Sequence, residues 1–173
     1  GGSDYVMPNA NGGIYTLTLK WSAATGFSNT LVKTGDVALT NWTGVELDIV
    51  GDGVSADNAT AITDPSGWNW GRVIYPNPNA PTIDGAKYTW TWENVIFEAN
   101  QGFKIRTKGG VAPAQNGANF DVGFSAVKTS ASSSKVVDNS GNISVNAKGT
   151  YRVVITIDAS NGDTKEVIIT EVQ

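Results

Sequence analysis

Apolar and polar positions alternate along most of this chain with a period of two, the mark of strands that bury one face. Residues 14–21 (IYTLTLKW) alternate in this way behind a turn signal at Asn11-Gly12-Gly13. After a loop at 23–26, residues 30–33 return as a second strand and 37–39 form a short third. In 45–50, Val45, Leu47 and Ile49 share one face and Glu46 and Asp48 the other. Residues 51–67, rich in Gly, Asp, Asn and Ser, read as a long surface loop. Two aromatic strands follow. Trp68 and Trp70 alternate in the first, with Tyr75 near its end, and Tyr88, Trp90 and Trp92 alternate in the second. The connection 76–85 closes on Asp84-Gly85, which favours the positive φ of a tight turn.

The rest of the chain continues in the same manner. In 102–107, Phe103 and Ile105 face a core and Lys104 and Arg106 the opposite side. A loop at 108–118 leads to a strand at 120–125, and 130–134 is a small polar connector. Val136-Val137 and 143–145 flank a hairpin turn at 138–142, and strands at 149–158 and 165–172 meet around Asn161-Gly162. No stretch sustains a 3.6-residue apolar period. The pattern predicts an all-β, antiparallel β-sandwich of immunoglobulin-like type, a single domain over 1–173.

The first hairpin has an internal echo. Gly13-Ile14-Tyr15-Thr16-Leu17-Thr18-Leu19 matches Gly149-Thr150-Tyr151-Arg152-Val153-Val154-Ile155, and each copy continues through a glycine-containing turn to a return strand. Residues 1–35 are then either the tail of an earlier module or an added hairpin at the edge of this one. The marginal stability of a lone two-stranded ribbon favours the second.

Composition narrows the function. Among 173 residues there are 12 Lys and Arg against 16 Asp and Glu, a net charge of −4. The few cations are scattered, so a nucleic-acid partner is not expected. No apolar run approaches the ~20 residues of a membrane helix, and no signal peptide is legible. The chain has neither Cys nor His. That removes thiol chemistry, Ser-His-Asp triads and the usual zinc sites, leaving carboxylates as the only catalytic groups. Asp52, Asp57, Asn58 and Asp64 make an oxygen-rich loop, but their spacing fits no calcium motif. Neither a metal nor a cofactor is expected.

LDIVGDG (47–53), Gly67-Trp68, YTWTWENVIFEANQGFKIRT (88–107) and GTYRVVITID (149–158) follow one another as landmarks of one module over about 45–172. They resemble the carbohydrate-binding modules of SusE- and SusF-type outer-membrane lipoproteins. The departures are the long loop between Gly53 and Trp68, the long segment 108–148 and an Ile, Ile105, where the family has a second Phe. The resemblance implies a non-catalytic glycan binder at the cell surface. It would be held to the outer membrane by a lipid upstream of this chain, or secreted, beside other outer-membrane glycan-uptake proteins.

The candidate ligand residues combine flat rings with polar donors, because stacking alone does not choose among sugars. Trp68 follows the family pattern for a ligand residue, while Trp70 and Tyr75 are platforms or packing. Lys104 and Arg106 supply N–H donors or merely solvate their strand face. Asn119, Asp121 and Gln115 lie near the next loop–strand junction and complete the polar set. Trp90 and Trp92 read as core and so does Trp21; Trp42 plugs one end of the sandwich or stands exposed. Three functions compete. A glycan binder needs exposed rings beside donors, and a structural spacer or adhesin repeat would bury its tryptophans. A glycosidase would need two carboxylates facing a cleft, for which only Glu93 with Glu98 or Glu46 with Asp48 offer themselves. The reading is a non-catalytic binder.

Overall fold

The computed structural model describes residues 13–36, 38–58, 80–107 and 120–173. Its centre is the strand β10 (Gly149–Asp158), flanked in antiparallel register by β5 (Lys87–Phe97) and β11 (Thr164–Glu171). A short β4 (Thr82–Asp84), inside the segment expected as a connection, pairs with β5 and completes a four-stranded sheet ordered β11-β10-β5-β4. A second sheet carries β3 (Leu47–Val50), β6 (Lys104–Thr107) and β7 (Asp121–Val122) in the order β3-β6-β7. The hairpin β8 (Val136–Asn139)–β9 (Asn142–Val145) adjoins that sheet through reciprocal backbone hydrogen bonds between Ile143 and Phe103. The strand expected over 120–125 stops at Val122, and a 3-10 turn at Phe124–Ala126 replaces its second half. These are open antiparallel sheets packed around one apolar core, the predicted sandwich.

The core explains the alternation. Tyr151, Val153, Ile155 and Ile157 point inward from β10, and Val167 and Ile169 from β11. Leu47, Ile49 and Ile105 meet them from the other sheet, with Phe103 just ahead of β6 and Val122 from β7. On β5 the parity changes partway. Trp92 opposes Val153 and Val95 opposes Tyr151, so Glu93 and Asn94 together face the single residue Arg152. Asn94 takes φ 56 to make this bulge. The inward set therefore passes from Trp90 and Trp92 to Val95 and Phe97 without leaving the core.

Rings plug both ends. At one, Trp42 lies edge-on to Trp90 at 6.4 Å and against Phe120 at 5.2 Å. Its indole N–H donates to Asp163 at 2.8 Å, and the Trp90 indole donates to the Val45 carbonyl at 2.9 Å. Trp42 is thus the plug of its two expected readings. At the other end Phe97 and Phe103 stack at 4.0 Å beside Tyr151.

The first hairpin stands outside this core. Strands β1 (Ile14–Ser22) and β2 (Gly26–Gly35) pair with each other and with no other strand among the described residues. Register puts Tyr15, Leu17, Leu19 and Trp21 on one face with Phe27, Asn29, Leu31 and Lys33, and Thr16, Thr18, Lys20, Ser28, Thr30 and Val32 on the other. Trp21, expected in the core, is 73% exposed, because the ribbon carrying it is not layered on the sandwich. Each large apolar side chain left in water forgoes roughly 1.5–3 kcal/mol of burial. After β2, residues 38–40 are irregular where a short strand was expected, and Val37 lies outside the described residues.

Candidate functional site

The outward face of the three-stranded sheet gathers three of the predicted site residues. Lys104 and Arg106 are two apart on β6 and share that face, while Ile105 between them is in the core. Asp121 on β7 sits directly opposite Arg106 in register. Its carboxylate accepts from Lys104 Nζ at 2.7 Å through one oxygen and from Arg106 Nε at 3.0 Å through the other. Partial burial works against ionising Asp121, but the hydrogen bonds from Lys104 and then Arg106 outweigh it and hold the carboxyl below the ordinary range. Asp48 on β3 faces Arg106 from the other flank and is 2% exposed. The result is a row of acidic and basic side chains across three strands, fixed on a sheet and only partly open to water.

Chemically the cluster presents both signs of hydrogen-bonding partner. The Lys104 ammonium has three N–H donors, one of them given to Asp121, and an ionised carboxylate has more lone pairs than these two bonds fill. A hydroxyl both donates and accepts, so a vicinal diol is a matching ligand. Trp68, Trp70, Tyr75 and Asn119, the other predicted site residues, and Gln115 lie outside the described residues. Trp90 and Trp92 are buried in the sandwich. Among the described residues the exposed large aromatic side chains are Trp21 and Phe27, directly opposed on the first hairpin.

A second polar cluster was not legible from the sequence. Ser55 Oγ donates to Glu98 at 2.5 Å, and Lys148 Nζ bridges Glu98 at 2.9 Å and Asp57 at 2.6 Å. The Ser55 hydroxyl and then the Lys148 ammonium hold Glu98 below the usual carboxylate range, and Lys148 does the same for Asp57. Beside it the Asn58 side chain acts as a piece of strand. Its amide donates to the carbonyls of Ser55 and Ile96, and its oxygen accepts from the Ile96 N–H at 2.9 Å. No local pattern signals partners so distant in the chain. Of the oxygen-rich loop, Asp57 is thus committed to Lys148 and Asn58 to backbone, and Asp64 lies outside the described residues. Among the described residues no group of His, Cys, Asp and Glu is gathered to hold a metal ion. Of the carboxylates weighed for catalysis, Glu93 pairs with Arg152 at 2.8 Å and Glu98 with Ser55 and Lys148.

The chain matches no family model, no curated protein and no solved structure. No helix among the described residues is long and apolar enough to cross a membrane, which says nothing of strands.

Proposed function

We propose that this chain is a non-catalytic glycan-binding module that works at the cell surface, by ring stacking and side-chain hydrogen bonds. The observation that carries the reading is the Lys104–Arg106–Asp121 cluster, a fixed donor-and-acceptor set on an outward sheet face. The resemblance of 45–172 to SusE- and SusF-type modules supports it, and so does the aromatic run Trp68, Trp70 and Tyr75. On this reading the module is tethered to the outer membrane by a lipid upstream, or secreted, and works beside other glycan-uptake proteins. A shallow platform leaves one sugar face in water, so single-site affinity is modest and avidity from neighbouring modules matters. A structural spacer is the second reading, favoured by the burial of Trp42, Trp90 and Trp92.

Affinity gel electrophoresis over starch, xyloglucan, xylan, mannan and pectins separates the two. The glycan reading expects one polysaccharide to retard the wild type, with the retardation lost in Trp68→Ala and weakened in Lys104→Ala. If no polysaccharide in the panel slows the wild type, the spacer reading replaces it.

A further inference from the structure

The first hairpin is built like the last. In β10–β11 the inward face carries Tyr151, Val153 and Ile155, cross-paired with Glu171, Ile169 and Val167. In β1–β2 the same places are held by Tyr15, Leu17 and Leu19, cross-paired with Lys33, Leu31 and Asn29. The glycine two residues ahead of each tyrosine has the same neighbours. A Cβ at Gly149 would meet the Tyr151 ring at 3.3 Å and the Glu171 side chain at 3.5 Å; one at Gly13 would meet the Tyr15 ring at 2.8 Å and the Lys33 side chain at 2.9 Å. In both hairpins the tyrosine ring folds back over the glycine two residues ahead of it, and the residue opposite the tyrosine closes over the same spot. The turns differ in length, 23–25 against 159–163, which leaves the registers of the strands intact.

The environments differ completely. The inward apolar side chains of β10–β11, Tyr151, Val153, Ile155, Ile157, Val167 and Ile169, are fully buried, whereas Leu17, Leu19, Trp21 and Phe27 are exposed. A ribbon with one apolar face needs a layer to cover it, and repeated units bury such faces on their own neighbours. We infer that β1–β2 is the closing hairpin of a second sandwich unit of this same build. Its exposed face is then core for that unit's inner sheets. Because β10–β11 come last in their own unit, the covering strands of the second unit lie ahead of residue 13 in the same polypeptide. The inference does not depend on glycan binding, since either a binder or a spacer can be built of repeated units.

The test compares the 173-residue chain with the natural polypeptide carrying whatever residues are encoded ahead of Gly1. The emission of Trp21, isolated as the difference between wild type and Trp21→Phe, is expected to shift to the blue in the longer polypeptide, and its quenching by acrylamide to fall severalfold. Leu19→Asp should lower one melting transition of the longer polypeptide and leave the melt of the 173-residue chain unchanged. Equal quenching of Trp21 in both polypeptides overturns the inference, as does an upstream sequence with no β-rich stretch. A dimer of the shorter chain that Leu19→Asp dissociates would make a second copy the occupant instead. A Leu19→Asp shift in the shorter chain's own melt would return the hairpin to this sandwich.

Discussion

Asp121 shows how one side chain can order a polar site. It draws Lys104 and Arg106 into fixed positions, and they in turn favour its charged form over its ordinary value of 3.8. A carboxyl whose folded pKa is depressed adds stability at pH above its unfolded pKa, and that stability is lost as pH falls through the folded value. Asp121→Asn is therefore expected to be less stable than wild type at neutral pH. With the carboxylate one-third exposed, solvent screening limits the difference to about 0.5–1 kcal/mol. The gap should shrink as pH drops below about 4 and also as salt is added. Urea melts at several pH values read this directly; a gap that persists at pH 2 would show that the carboxylate's charge is not its source. The alternation of Lys104-Ile105-Arg106 made their shared face legible, but the partnership with Asp121 depends on the alignment of β7 with β6, which no local pattern encodes.

Among the elements, strand exits divide into those limited by space and those limited only by backbone conformation. Gly51 leaves β3 with φ 145, and a Cβ there would lie 2.4 Å from the Gly102 carbonyl oxygen and 2.6 Å from the Phe103 Cα. Backbone strain and overpacking then add, so Gly51→Ala should cost about 3 kcal/mol or more. Gly162 in the β10–β11 turn has φ 61 but nothing within 4 Å of a Cβ, so Gly162→Ala should cost only about 1–2 kcal/mol. Denaturant midpoints of the two variants should fall in that order, and a reversed order would count against the packing of β3 on the segment before β6. The bulge at Glu93-Asn94 belongs to this scale too. Strict alternation carried past Trp92 would place Asn94 in the core, whereas the pairing with β10 puts Val95 and Phe97 there.

Across the whole molecule, stability is unevenly placed. The strand β10 is hydrogen-bonded on both edges, by β5 and β11, and its inward side chains are fully buried. Among the described residues the ribbon β1–β2 pairs with no other strand, and its strands are exposed over nearly their full length. Amide hydrogen exchange followed by mass spectrometry is expected to be slowest in peptides covering β5 and β10 and faster by orders of magnitude in 14–35. Equal protection in the two regions would mean that the hairpin shares the sandwich's cooperative unit.

Sequence alone determined the fold class, because a period of two, interrupted by Gly, Asn and Asp turns, admits only strands that bury one face. It also placed Trp90, Trp92, Phe103 and Ile105 in the core, since their neighbours in the chain are polar. Only tertiary structure decided which apolar faces are covered. Trp21 and Ile157 sit at equivalent places in two hairpins of like pattern, yet one is exposed and the other fully buried. The physical reason is that burial belongs to a pair of surfaces, and a strand's own pattern specifies only one of them. The same holds for polar partners. Ser55, Glu98 and Lys148 acquire their roles when segments far apart in the chain are brought together by packing, at distances the linear order of residues does not contain.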